Sequence, residues 1–214
     1  MPRAWARAAL AGCFLYVALD VALVFLRPEF SVLHSAESDY GSAGRYAWLM
    51  DANFLLRCLL TLAAVRALTL ALPGRPRAPL VLLVGWAVAS GLLAFFPDDP
   101  VGTKVTAAGR IHLALAVVAF ACVAIGTRIT TRVLRREPAW RPVLAPLALL
   151  SWGAIVPALL LGHSHLRPHS LGGLYEKLFL ALELGWILVA AGWISRREPA
   201  GRSAPDRAPT RAPA

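Results

Sequence analysis

The sequence predicts an all-α polytopic membrane protein, a bundle of six transmembrane helices with both termini in the cytoplasm. Three observations carry this expectation. Of 214 residues, 58% are hydrophobic and 16% charged, against about 45–50% and about 25% in soluble domains. The apolar residues fall in blocks of membrane-crossing length. The cations behind the net charge of +10 gather in alternate connections between those blocks.

Crossing the hydrocarbon takes about 20 mainly apolar residues in a helix. Six stretches meet this: residues 8–26, 46–68, 80–96, 111–127, 142–161 and 174–194. The runs are continuous rather than alternating, which selects helices over a barrel. The first span is preceded by Arg3 and Arg7 and contains Asp20. Its Leu10-Ala11-Gly12-Cys13 matches a lipobox but stands too close to Arg7 to have an apolar signal core before it. The span is long and lacks a small-x-small cleavage site, so it reads as a span rather than a signal peptide. The second span carries Asp51, Asn53 and Arg57. Leu-Pro-Gly-Arg-Pro-Arg-Ala-Pro at 72–79 separates it from the third, which ends at Pro-Asp-Asp-Pro, 97–100. His112 heads span four, and span five contains Pro142, Pro146 and Pro157. Span six opens after Arg-Pro-His-Ser-Leu-Gly-Gly, 167–173, and carries Glu176, Lys177 and Glu183. Beyond it, 195–214 reads as a disordered, basic, Pro-rich cytoplasmic tail. No internal repeat is visible.

Orientation follows from the cations. Fifteen lie at the two termini and in the second and fourth connections, whereas the first, third and fifth connections hold five: Arg27, Arg45, Lys104, Arg110 and Arg167. Both termini are therefore expected in the cytoplasm of a plasma-membrane protein. Trp5, Trp48, Trp140 and Trp193 lie near span ends, as an interfacial belt would place them. The basic balance marks orientation and attraction to anionic headgroups, so the expected partners are membrane lipids and not nucleic acid. Twenty of the 22 cations are arginine.

The polar chemistry segregates as well. All five histidines (His34, His112, His163, His165 and His169) and most acids fall on the outer side in this topology. Charges within spans cost several kcal/mol, roughly, unless paired or hydrated. At about 1.5 Å per residue, Arg57 lies about 15 Å below the outer end of its span, Glu183 about 13 Å and Asp20 about 9 Å. Arg57 is therefore expected to pair with Glu183 or Asp20, either to fix helix packing or to serve a headgroup site or relay. Imidazole with carboxylate is also the ligand set of zinc. His112, His163 and His165, with Asp98 or Asp99, form the candidate metal group, and a bound Zn²⁺ would activate water against a lipid ester or amide. Pro168 prevents His165 and His169 from forming a helical pair. A Ser–His–Asp set could be drawn from Ser35 or Ser38, His112 and Asp98, but no Gly-x-Ser-x-Gly elbow accompanies it.

Other classes lack their signatures. Cys13, Cys58 and Cys122 stand singly in apolar runs and frame neither disulfide nor thiolate metal site. There is no phosphate loop or dinucleotide fingerprint, and no histidine lies at mid-depth for haem.

Phe30-Ser31-Val32-Leu33-His34-Ser35 leading into Ser38-Asp39-Tyr40-Gly41, then Phe96-Pro97-Asp98-Asp99 with His112, then Gly173-Leu174-Tyr175-Glu176-Lys177, occur in that order. Together they resemble domain-of-unknown-function family 998, six-span integral membrane proteins of bacteria and archaea. The resemblance covers about residues 8–194. The chain departs from it at Tyr40, where Leu is common, and Lys177, where Arg is common. It implies a membrane location and helical architecture and brings no activity or cofactor. It directs attention to Ser38, Asp39, Asp98, His112 and Glu176.

The resulting expectation is a polar His/Asp/Glu site facing the outer side that binds or hydrolyses a lipid or small polar substrate. Its candidate catalytic residues are Asp98, Asp99, His112 and Glu176. Ser38, Asp39, Asp51, Arg57, Glu183 and Asp20 are its candidate substrate-binding residues. The enzymatic form of this reading is a metal-assisted hydrolase at the outer leaflet. The rival is a non-enzymatic permease or accessory membrane protein whose charge pairs fix helix packing.

Overall fold

A computed structural model describes residues 1–72, 77–99, 104–164 and 170–197. Among these the regular structure is entirely helical. The helices are α1 (Pro2–Leu26), α2 (Ala47–Ala71), α3 (Ala78–Leu93), α4 (Ala107–Leu134), α5 (Arg141–Gly153), α6 (Ile155–Ser164) and α7 (Gly172–Arg196). Short 3₁₀ turns at Ser38–Gly41 and Pro138–Trp140 complete the set. Five rods are long and apolar enough to cross a membrane: α1, α2, α4, the rod Pro138–Ser164 that contains α5 and α6, and α7. The sixth, α3, is apolar but has only 16 residues, about 24 Å at 1.5 Å per residue.

Successive rods run antiparallel and neighbour one another, and α7 packs against α1, α2, α4, α5 and α6 as the hub. Arg3 Nε donates to the Arg197 carbonyl, so the start of α1 and the end of α7 meet at one end of the bundle. The opposite end carries the 27–46 connection and is called the capped end below. Large apolar side chains such as Phe14, Leu59, Leu149 and Leu159 point outward. A soluble bundle would bury such a surface, whereas a lipid solvent requires it.

Small residues bring the rods together. Ala6, Ala9 and Cys13 of α1 are fully buried, and Gly12 lies against Leu60 of α2. Gly85 faces Cys122, and Gly126 faces Leu82 and Leu83, at the α3–α4 contact. Larger groups fill the centre. Phe120 and Phe179 lie 5.1 Å apart between α4 and α7, and Trp186 Nε1 donates to Thr131 Oγ1 at 2.9 Å.

The element boundaries differ from the sequence expectation for local reasons. The third rod ends at Leu93 rather than 96, because Pro97 disfavours helical backbone at the residue before it. The fourth extends past 127 to Leu134, where Thr127 and Thr131 turn their hydroxyls back onto the carbonyls of Val123 and Thr127. The fifth is broken at Ala154, since Pro157 has no N–H to give to the carbonyl of Gly153. The last helix takes in Ser195 and Arg196, and the rest of the expected tail, 198–214, lies outside the described residues. Trp140, expected at an interfacial belt, is instead buried in the core, while Trp5 and Trp48 are exposed.

Candidate functional site

The 27–46 connection folds back over the bundle as a cap, and Arg27 organises it. The buried guanidinium donates from Nη1 to the carbonyls of Tyr40 (2.8 Å) and Ser42 (2.9 Å), and from Nη2 to that of Ala43 (3.2 Å). Its Nε donates to Glu29 at 2.6 Å, which holds the Glu29 carboxyl below its ordinary range. Gly44 adopts φ 151° against the guanidinium, where a Cβ would press on Nη2. The cap then reaches the start of α7. Leu174 N–H donates to Leu33 O at 3.0 Å, His34 Nδ1 meets Ser170 O at 3.0 Å, and Lys177 Nζ donates to Ser35 O at 2.9 Å. Gly173 lies so close to the Ser35 backbone that no side chain fits there.

Beneath the cap is a buried polar cluster. Tyr16 of α1 donates its hydroxyl to Glu37 Oε1. The other Glu37 oxygen, Oε2, stands 3.6 Å from Arg57 Nη1 of α2, with both side chains nearly inaccessible. Arg57 Nη1 also reaches the Tyr16 oxygen at 3.3 Å, and the Glu37 amide donates to Glu176 Oε2 of α7 at 3.1 Å. Asp20 and Lys177 lie within electrostatic reach of this group. Burying a carboxylate or guanidinium alone is prohibitive, and the mutual pairing makes these tolerable.

Beside it lies a second, more open cluster. Ser38 Oγ donates to Asp98 Oδ2 at 2.7 Å, and His112 Nε2 stands 3.8 Å from the same oxygen. His112 Nδ1 lies 2.7 Å from the Phe96 carbonyl. A carbonyl only accepts, so Nδ1 carries the hydrogen, and the ring turns its other nitrogen, Nε2, toward Asp98. Asp98 Oδ1 accepts the Asp99 amide at 2.9 Å, and the Asp98 side chain remains 26% exposed. Asp39 is nearby and buried, and its carboxyl accepts the Ala36 amide at 2.8 Å. Burial pushes that carboxyl above its ordinary range against the pull of the amide, and the Asp98 charge adds to the rise.

The candidate residues thus divide. Ser38, Asp39, Asp98 and His112 come together at the open cluster, and Arg57 and Glu176 at the buried one, with Asp20 in reach. Asp99 serves the chain itself: it accepts from the Thr106 amide (2.6 Å) and hydroxyl (2.9 Å), and Thr106 caps α4 by accepting from Gly109 N–H. Asp51 is half-buried near the start of α2. Arg57 pairs with Glu37 rather than with Glu183 or Asp20, because the cap brings a loop carboxylate down to it. Glu183 instead has Thr127 and Arg128 of α4 as its polar neighbours. His163 is exposed on α6, and His165 and His169 lie outside the described residues. No group of three or more His, Cys, Asp or Glu able to hold a metal occurs among the described residues.

Sequence reasoning missed Glu37 and Tyr16. Tyr16 stands four residues before Asp20 on α1, a spacing that places both on one helix face and could have singled it out. Glu37 has no comparable signal, since only the folding of the cap brings it inward.

The fold and the clusters describe an all-helical protein built for a lipid environment, with its polar groups collected at one end. A family model described as "Protein of unknown function (DUF998)" matches residues 10–193, and the chain belongs to that family. No curated protein and no solved structure matches the chain.

Proposed function

We propose that the protein is a six-span plasma-membrane protein with cytoplasmic termini, and that the capped end is an outward-facing binding site for the polar head of a lipid or a small polar substrate. The observation that carries the site is the convergence of Ser38 and His112 on the partly exposed carboxylate of Asp98. A partly exposed carboxylate receives hydrogen-bond donors and cationic heads, so an amine or hydroxyl headgroup is the favoured occupant. The cation asymmetry supports the orientation, and α3 completes the sixth span as a short helix accommodated by local thinning.

The geometry favours binding over hydrolysis. In a nucleophilic triad the imidazole accepts the serine proton, whereas here Ser38 donates to Asp98 and His112 Nε2 faces the carboxylate. A metal-assisted reaction would need at least one further ligand beside His112 and Asp98. The second reading, an accessory protein with structural charge pairs, draws support from the enclosed Tyr16–Glu37–Arg57–Glu176 cluster. We assign that cluster to holding the cap and the open cluster to binding.

Native mass spectrometry of detergent-purified protein exposed to phosphatidylethanolamine tests the assignment. The wild type is expected to retain the lipid, with at least a roughly tenfold loss in Asp98→Asn, which removes the charge and equals about 1.4 kcal/mol. Equal retention by wild type, Asp98→Asn and His112→Ala would overturn the site. Reporters fused after Lys104 and after Arg136 test the orientation separately. The proposal expects the first outside and the second inside.

A further inference from the structure

Away from the capped end, α7 carries a second carboxylate in its middle. Glu183 lies about 17 Å from the start of its helix and about 20 Å from the end, at 1.5 Å per residue. It is 0% exposed, and neither carboxylate oxygen has a hydrogen-bond partner among the described residues. Two polar groups of α4 act on it. One is Thr127, whose hydroxyl donates to the Val123 carbonyl at 2.9 Å and also lies close enough to Glu183 to act on its carboxyl, so that its oxygen can serve as acceptor or donor there. The other is Arg128, whose Nη1 is turned back to the Ala124 carbonyl. Its Nε and Nη2 are buried without partners, and its guanidinium lies 5.8 Å from the Trp152 ring centre of α5. The charged groups of α1 and α2, Asp20 and Arg57, act on Glu37 and Glu176 instead.

Two opposite ionisable groups thus face the same helix contact, each with unsatisfied atoms. An isolated carboxylate anion at this depth would be prohibitive, and a metal cation would add positive charge beside Arg128. A proton has neither difficulty. A protonated Glu183 can donate its O–H to the free lone pair of Thr127, whereas the ionised carboxylate can be satisfied by Nε and Nη2 of Arg128.

We propose that Glu183 is a proton-binding carboxyl inside the membrane that exchanges its proton for an ion pair with Arg128, making the α4–α7 contact a proton-coupled switch. On release, the O–H bond of Glu183 breaks and the proton passes to water. The carboxylate then draws the Arg128 guanidinium from the Ala124 carbonyl and the Trp152 face. Proton occupancy of Glu183 ties the packing of α4, which carries His112 at its capped end, to the proton supply. This goes beyond headgroup binding and does not depend on it.

Infrared spectra of the full-length protein in phosphatidylcholine vesicles, wild type minus Glu183→Gln, test the proposal as pH is raised. A carboxylic-acid C=O band is expected in the wild type, absent from the variant, and replaced by carboxylate absorption at higher pH. In Arg128→Gln the band should persist to higher pH, because the carboxylate has lost its partner. Glu183→Gln should fold with unchanged thermal stability wherever the band is present, since it replaces a neutral carboxyl by a neutral amide. A wild type without the band at every pH where it is folded would overturn the proposal, as would a Glu183→Gln variant that fails to fold. Loss of lipid retention in Asp98→Asn would leave these spectra unaltered.

Discussion

Arg57, in the middle of α2, is neutralised by Glu37, a residue of the connection that precedes its helix, across 3.6 Å. A span thereby carries a buried guanidinium whose counter-charge comes from the cap rather than from another span.

Removing one member leaves the other charge buried. Arg57→Met and Glu37→Gln are each expected to destabilise the protein by about 3–5 kcal/mol, while the double variant recovers much of the loss. Denaturant unfolding in detergent micelles measures this cycle, and additive losses would show that the pair is not coupled.

The contact of Gly173 with the Ser35 backbone makes Gly173→Ala a test of the cap. The added methyl must push the cap off α7, at a cost of about 1–3 kcal/mol as for other overpacked sites. Limited proteolysis should then cut the 27–46 connection faster than in the wild type, and an unchanged rate would contradict the seating described.

Arg27→Lys tests the cap from its other side. An ammonium cannot reproduce the fork that serves the carbonyls of Tyr40, Ser42 and Ala43. Faster cleavage of the same connection is expected although the charge is kept. Identical cleavage would mean that charge alone suffices.

Asp39 predicts a pH dependence of definite sign. Its folded-state carboxyl is raised above the ordinary value by burial, so the folded protein binds the proton more tightly than the unfolded chain does. Its contribution is greatest below the unfolded value of about 3.9 and is lost as pH rises through the folded value. Thermal unfolding at a series of mildly acidic pH values should show this slope, and Asp39→Asn should flatten it. A slope that survives the substitution belongs to another group.

The rods were legible because each is a continuous apolar run, and the ends that shifted did so at Pro97, Pro157 and the back-bonded threonines, whose effects are local. The open cluster was legible in part, since Ser38, Asp98 and His112 fall in connections or at a helix start on one side. The partner of Arg57 was not. Counting depth along helices compares only residues that lie on helices, and Glu37 reaches its position through a loop that turns inward. Glu183 was misassigned for a related reason. Its depth matches Arg57, but rotation about α7 decides which neighbour it meets, and depth carries no information about rotation. Trp140 shows the same failure, since position near a helix end does not tell lipid from core.

The origin of the Arg57 counter-charge also bears on how the chain is made. Glu37 and Tyr16 are both synthesised before Arg57, whereas Glu176 comes much later. When α2 enters the bilayer with its guanidinium, the groups that receive it are already present in α1 and the cap. The first two helices with the segment between them therefore form the natural unit of insertion, and α7 closes over a cation that has long been answered.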